Sequence, residues 1–219
     1  MEMTLDGMEI RVLGCLIEKE LSTPEYYPLT INALVNACNQ KSNRFPVTTM
    51  DDSDVVGAIN TLRHRQLALL SAEGGRAPKY RHTLMEMLRL TPAELAIISE
   101  LLLRGPQTIG ELRSRTERMH AFSDMAAVEE TLQELMGRAQ PLVGLLPRMP
   151  GHKEQRYAHL FAGQPESCRD VHPEPDSTAK TDALPPSERI RALENEVGSL
   201  RAEVAELRRM VEEFKGQFE

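Results

Sequence analysis

The chain has 219 residues, enough for one or two domains, and 41% of them are hydrophobic. Only 4% are aromatic and Trp is absent, which favours small helical domains with aliphatic cores over β-sandwiches. The formal net charge of −7 excludes a polybasic protein that coats nucleic acid by charge alone.

The first part of the chain predicts three helices followed by a β-hairpin. Apolar residues at helical spacing begin after Asp6, a plausible helix N-cap, then after Thr30, and again near Asp51. Residues 67–70 predict a strand, AEGGRAP a turn and KYRHTL the return strand. Three helices and a two-stranded hairpin form the winged-helix plan, a variant of helix-turn-helix.

The same plan recurs in the second part of the chain. Helices are predicted at residues 93–103, at 108–115 and after Ser123, and LVGLLP and RYAHLF predict two strands. Tyr80 is echoed by Tyr157 on the return strand. We therefore predict two copies of one domain: a first module at residues 1–85 and a second module at residues 86–162. The expected fold class is mainly α with small β-hairpins (α+β).

The last quarter of the chain changes in composition. Residues 163–187 hold five prolines among Ser, Thr, Asp and Glu, which predicts a flexible linker. From residue 188 onward, apolar residues are spaced alternately three and four apart, as in a coiled coil. The proposed dimerisation seam consists of Ile190, Leu193, Val197, Leu200, Val204, Leu207, Val211 and Phe214.

The residues of this seam also indicate how the helices pair. β-Branched side chains at position a with Leu at d favour a parallel two-stranded coil, and the flanking g and e charges pair with opposite sign in that orientation. We therefore expect a homodimer. The alternatives are a trimer and a single amphipathic helix that packs against the body of the protein.

One long motif resembles a known family. The stretch YYPLTINALVNACNQKSNRFPV, residues 26–47, resembles the signature of the YceH family of bacterial proteins, and the match extends through both modules. The resemblance implies a tandem winged-helix fold. It implies no activity, because the family has no established biochemical function.

The third helix of the first module is the candidate DNA-reading element, because this helix enters the major groove in helix-turn-helix proteins. Its apolar residues Val55, Val56, Ile59 and Leu62 define the inward direction. Side chains predicted to contact nucleic acid lie on its outward face, on its flank and on the wing: Asn60, His64, Arg65, Arg76, Lys79 and Arg81. The wing cations are also compatible with ordinary solubilising residues.

The second module gives a contrasting pattern. Its third helix is expected to bury Met125, Val128, Leu132, Leu135 and Met136. Glu130 and Glu134 then occupy the outward positions that match Asn60 and His64, and two carboxylates repel a phosphate-lined groove. This acidic face suits a protein partner, or it is simply solvated.

The stretch NACNQKSNR, residues 36–44, divides by helical spacing into two sets. Amides at spacings of four, three and four form a stripe beside the apolar face, where they are expected to brace neighbouring backbone: Asn32, Asn36, Asn39 and Asn43. Gln40, Lys41 and Arg44 are expected to face solvent and to contact a partner, and we count them among the candidate nucleic-acid-binding residues.

The remaining residues suggest neither catalysis nor a cofactor. The six histidines form no metal-ligand spacing, no glycine-rich phosphate loop is present, and the three cysteines form no CxxC pair. We therefore expect a non-enzymatic protein without cofactor or metal. The N-terminus lacks the pattern of a signal peptide and no run is apolar enough for a membrane span, so we expect a cytoplasmic protein.

Two hypotheses about function follow. The first is a dimeric, regulator-like protein that binds double-stranded DNA through the first module and its wing. The second is an interaction or scaffold protein that uses winged-helix modules to bind other proteins. The fold favours the first by analogy only, whereas the near-neutral modules and the Glu130/Glu134 face favour the second.

Overall fold

A computed structural model describes residues 4–71, 77–148 and 154–163 of the chain. The predicted coiled coil and all of the predicted linker except residue 163 lie outside these residues, as does Arg76. The helices in the described part are α1 (Gly7–Ser22), α2 (Ile31–Cys38), α3 (Asp52–His64), α4 (Leu84–Leu88), α5 (Pro92–Arg104), α6 (Ile109–Thr116) and α7 (Met125–Met136). The strands are β1 (Leu29–Thr30), β2 (Ala68–Leu70), β3 (Lys79–His82), β4 (Val143–Leu145) and β5 (Tyr157–His159). A mainly helical α+β fold with small antiparallel strand pairs is confirmed.

Local sequence signals set where several helices begin. The Asp6 carboxylate accepts hydrogen bonds from the backbone of α1, and the Glu9 side chain returns to the backbone N–H of Asp6, which completes a capping box. Asp51, Thr91 and Thr108 form the same box at α3, α5 and α6. Each cap satisfies backbone donors that the helix leaves free and contributes about 1 kcal/mol.

The strands of the two predicted modules pair in corresponding registers. Tyr80 on β3 lies opposite both Leu29 and Leu70, within a three-stranded sheet of order β1-β3-β2. Tyr157 on β5 lies opposite Leu145 and forms an isolated bridge with Gln107. The two tyrosines that matched in sequence therefore have matching partners. Each pairs on one side with the other strand of its hairpin, and on the other side with a residue that lies just before a helix, α2 or α6.

Both predicted modules contribute to one hydrophobic core and lie in one compact unit, Met1–His172. Helices α1 and α5 pack directly against each other, with the Ser99 hydroxyl donating to the Gly14 carbonyl at 3.3 Å. The backbone N–H of Leu5 donates to the carbonyl of Phe161 at 2.6 Å, so the two ends of the described chain also meet. The predicted boundary between residues 85 and 86 falls inside α4.

Gly14 allows the close approach of α1 and α5. A Cβ at this position would lie 2.9 Å from Leu103 Cδ2 and 3.1 Å from Leu102 Cβ, closer than side chains tolerate without a shift. We expect Gly14→Ala to lower the free energy of unfolding by about 1–3 kcal/mol through overpacking, as measured by urea denaturation. Gly57→Ala in α3 is the matched control. It meets no atom within 4 Å and should stabilise the helix by about 0.5–1 kcal/mol. Equal stabilisation by both variants would contradict this role of Gly14.

Two expectations about burial on α3 and α7 are wrong. Val56 is 40% exposed and Met125 is 57% exposed, although the periodicity placed both on inward faces. Val56 lies at the edge of the stripe formed by Val55, Ile59 and Leu62, and Met125 is the first residue of α7, where little packs over it. The other four residues predicted to be inward on α7 are buried or half-buried. No helix within the described ranges is long and apolar enough to cross a membrane.

Candidate functional site

The outward face of α3 has the exposure that its sequence predicts. Asn60 and His64 are exposed, one turn apart, on the side away from the buried Ile59 and Leu62. The Arg63 guanidinium lies 6.0 Å from the centre of the Tyr80 ring and donates to Asn60 Oδ1 at 3.4 Å. The amide, the imidazole and a cation therefore share one surface beside β3.

The other predicted cations near this face are partly engaged within the protein. Arg65 is half-buried and donates to the Thr4 carbonyl at 2.8 Å, which ties the end of α3 to the start of the chain. Arg81 is paired with Glu86 at 2.8 Å, and both side chains of this pair are exposed enough for solvent to weaken it. Lys79 is half-buried on β3. The surface therefore carries fewer free cations than the sequence suggested.

The corresponding face of the second module is acidic, as expected. Glu130 and Glu134 are both exposed on α7, with Glu129 and Gln133 exposed beside them. The third helices of the two predicted modules, α3 and α7, therefore present faces of different charge.

Arg44 is buried, so the expectation that it faces solvent is wrong. Its Nη2 donates to Glu18 Oε2 at 2.6 Å and its Nη1 to Glu18 Oε1 at 3.1 Å, a bidentate ion pair between the loop and α1. Its Nε also donates to the Ala37 carbonyl at 3.1 Å, and its Nη2 lies 3.5 Å from Cys15 Sγ. Burial alone would raise the pKa of Glu18, but the Arg44 hydrogen bonds outweigh it and leave that pKa below its ordinary value. Arg44 is therefore part of the core and unavailable to a surface partner.

The amides of this stretch divide into different roles. Asn39 clamps the loop before α3: its Nδ2 donates to the Met50 carbonyl at 2.7 Å and its Oδ1 accepts from the Met50 N–H at 2.8 Å. This contact is of the bracing kind that the sequence suggested. Asn32 and Asn36 are exposed and bond only each other, at 3.3 Å, among the contacts that the structure describes.

Asn43 does not continue the amide stripe, because α2 ends at Cys38. It instead adopts a left-handed backbone with φ of 58°, a conformation that Asn tolerates better than most residues. Its side-chain oxygen accepts from Arg104 Nη2, so it links the loop to α5. The helical spacing that suggested one continuous stripe does not apply beyond the helix.

Gln40 and Lys41 lie at a cleft between the two predicted modules. Lys41 is exposed as expected, but Gln40 is half-buried and its Oε1 accepts from Arg44 Nη2 at 3.2 Å. The cleft has a volume of about 540 Å³. It is lined on one side by the end of α1 and the loop after α2, and on the other by α5 and the end of α6. The lining residues with ionisable groups are Glu18, Lys19, Lys41, Glu100, Arg115 and Arg118. The sequence contains no sign of this cleft, because its two walls come from distant parts of the chain, residues 18–43 and residues 100–119.

Glu100 is the most unusual group in the cleft. It is 2% exposed, and its nearest cation is Arg104 Nε, 3.0 Å from Oε2 but too poorly aligned for a hydrogen bond. Burial, with a smaller contribution from the Glu18 charge, raises the pKa of Glu100 to about 7, although Arg104 and Arg115 oppose the rise. A carboxyl group at this position is therefore partly protonated near neutral pH. Within the described ranges, no three His, Cys, Asp or Glu side chains are grouped to hold a metal ion.

Comparison with known proteins places these features in a family. Residues 5–152 match a family described as a protein of unknown function, DUF480. The chain belongs to the DUF480 family. A UPF0502 protein of Geotalea uraniireducens is 65% identical over the full length of both chains, and one of Geobacter sulfurreducens is 58% identical, again over both full lengths. A UPF0502 protein of Citrifermentans bemidjiense is 62% identical over 76% of this chain and 77% of its own.

This membership confirms the resemblance to the YceH family that residues 26–47 carry. The α3 face, the buried Arg44 and every residue that lines the cleft fall within the DUF480 match. The name of the DUF480 family assigns no activity to any of them.

Proposed function

We propose that this chain is a non-enzymatic, dimeric, regulator-like protein with two winged-helix modules, which binds double-stranded DNA through the first module. In this proposal α3 is the recognition helix and the β2–β3 hairpin is the wing. The order of helices and strands, repeated with corresponding strand registers, supports the tandem winged-helix assignment.

The observation that carries the DNA proposal is the exposed polar face of α3. Asn60 and His64 project from it with no apolar neighbour exposed between them, and an Asn side chain can bond the edge of adenine with two hydrogen bonds. Arg63 lies at the side of this face, where phosphates of a bound duplex would pass. The face is only weakly cationic, so we expect a modest affinity for DNA. This affinity should fall only gradually with salt, because few phosphates are contacted.

The dimer part of the proposal rests on the heptad seam of residues 188–219, which lie outside the described residues. A dimer would carry two copies of α3, which doubles the number of contacts available to DNA. Sedimentation of the full chain tests this directly, and a monomer at micromolar concentration would overturn the dimer.

We expect the full chain to bind random duplex DNA in a fluorescence anisotropy titration at low salt and to bind more weakly at moderate salt. The double variant Asn60→Glu/His64→Glu copies the acidic pattern of α7 onto α3. It should weaken binding at least tenfold, which corresponds to about 1.4 kcal/mol, because the new carboxylates face phosphate.

Ala126→Glu/Gln133→Glu is the charge-matched control. It adds the same two carboxylates at exposed positions of α7, away from the proposed interface. An equal loss of affinity in both double variants would mean that overall charge, and not the α3 face, governs binding. Absence of binding by the unmodified chain at low salt would overturn the DNA proposal.

A second candidate function is protein binding through α7. The exposed Glu130 and Glu134 favour it, because their charge suits a basic protein surface and disfavours DNA. Failure to bind DNA would leave this function as the better supported of the two.

A further inference from the structure

We propose that the cleft between the two modules binds a small, multiply charged oxyanion, a molecule that carries phosphate or carboxylate groups. The site is distinct from the α3 face. It uses residues from both modules, so its ligand would contact both at once.

Four cations line the cleft, two from each module. Lys19 and Lys41 come from the first, and Arg115 and Arg118 from the second. Lys41 and Arg118 are exposed, and neither has a hydrogen-bond or ion-pair partner among the described contacts. Their charges are therefore available to a ligand.

The other two cations are only partly committed to protein partners. Lys19 lies 3.2 Å from Glu18 and 3.5 Å from the Gln40 side chain, and Arg115 lies 3.3 Å from Glu111. Glu18 itself is satisfied by the bidentate Arg44 pair, so its charge is largely neutralised within the protein. The lining is consequently cationic in balance, which favours an anion over a cation as the occupant.

Glu100 provides the independent sign of a ligand site. A buried carboxyl group without a well-aligned partner is costly, and this one lines the cleft. In its protonated form it can donate a hydrogen bond to an oxyanion, which a carboxylate cannot do. Glu100 would thus donate a hydrogen bond to one oxygen of the ligand, while Lys41 and Arg118 balance the negative charge of the ligand.

This arrangement makes binding depend on pH. The groups that act on the Glu100 carboxyl are Arg104, Arg115 and Arg44, which favour its charged form, and Glu18, which opposes it together with burial. A bound anion would repel the Glu100 carboxylate, as Glu18 does, and would therefore favour the protonated carboxyl group further. Binding should therefore take up protons, and affinity should be higher below the Glu100 pKa of about 7 and fall as the pH rises through it.

The test is isothermal titration calorimetry of the full chain with inorganic pyrophosphate and, separately, with malonate. We expect at least one probe to bind, and to bind more tightly at about pH 6 than at about pH 8. Arg118→Gln and Lys41→Gln should each weaken binding about tenfold, the usual effect of losing one charge-assisted hydrogen bond. Arg113→Gln is the matched control, because Arg113 is exposed on α6 but does not line the cleft.

The two probes distinguish the sources of the anionic group. Pyrophosphate alone would indicate a phosphate-bearing ligand, and malonate alone a carboxylate-bearing one. Glu100→Gln keeps a neutral donor, so it should bind at about pH 8 as well as at about pH 6. The proposal is overturned if neither probe binds at up to about 10 mM, or if Arg113→Gln weakens binding as much as Arg118→Gln. A Glu100→Gln variant with the pH dependence of the unmodified chain would remove Glu100 from the site.

Discussion

Replacing Arg44 with Ala is expected to lower the free energy of unfolding by about 3–5 kcal/mol. The substitution removes both hydrogen bonds to Glu18 and leaves that carboxylate buried with only the half-buried Lys19 beside it. It also leaves the Ala37 carbonyl without the two guanidinium donors that it accepts from. A buried charge without its partner costs much more than the intact pair contributes, which is why the expected loss is large.

Urea denaturation monitored by circular dichroism measures this loss. Lys19→Ala removes the other cation beside Glu18, but Glu18 keeps both hydrogen bonds from Arg44, so this variant should cost at most about 1 kcal/mol. The double variant Arg44→Met/Glu18→Leu replaces both charges with apolar groups and should recover much of the stability that Arg44→Ala loses. If Arg44→Ala were no more destabilising than Lys19→Ala, the Glu18–Arg44 pair would not be a structural element of the core.

Glu100→Gln is expected to stabilise the protein at alkaline pH and to leave its stability almost unchanged near pH 4.5. The folded-state pKa of Glu100 is raised from 4.5 to about 7, so the folded protein prefers the neutral carboxyl group. The stability of the protein with a neutral Glu100 is therefore fully present below pH 4.5. It is lost as the pH rises through about 7, because the buried carboxyl group must then ionise. Gln cannot ionise, so at about pH 8 the variant should be more stable by on the order of 3 kcal/mol.

Unfolding free energies of both proteins across this pH range test the prediction. Glu111→Gln is the control, because its effect on stability should have the opposite sign. The N–H of Thr108 and the nearby Arg156 and Arg115 outweigh burial and lower the pKa of Glu111, so this variant should lose stability above pH 4.5. Parallel curves for Glu100→Gln and the unmodified chain would show that Glu100 is not held in a neutral form.

The regular elements of the described residues follow from local signals in the chain. Asp6, Thr91 and the periodic apolar residues after them predict α1 and α5 closely, because capping and amphipathic spacing act within a few residues. The echo of Tyr80 by Tyr157 likewise predicts two hairpins, and the structure pairs their strands in the same register. Short elements such as α4 and β1 were missed, because five or two residues carry too little periodicity to recognise.

The candidate sites depended more on tertiary structure. The outward direction of Asn60 and His64 was predictable, because one helix and its buried stripe determine it. The burial of Arg44 was not predictable, because its ion-pair partner Glu18 lies 26 residues earlier on another helix. The cleft could not be predicted either, since Lys41 and Arg118 are brought to one place only when α1 packs on α5.

By itself, the sequence determined the family, the order of the long helices and hairpins, and the polar face of α3. All of these arise from local spacing or from a contiguous motif. Only the tertiary structure decided which polar residues are buried, because burial depends on what other parts of the chain pack over them. In the stretch of residues 36–44, packing buried Arg44 in an ion pair and bonded Asn39 to the backbone of Met50. It left Lys41 exposed at the edge of a cleft.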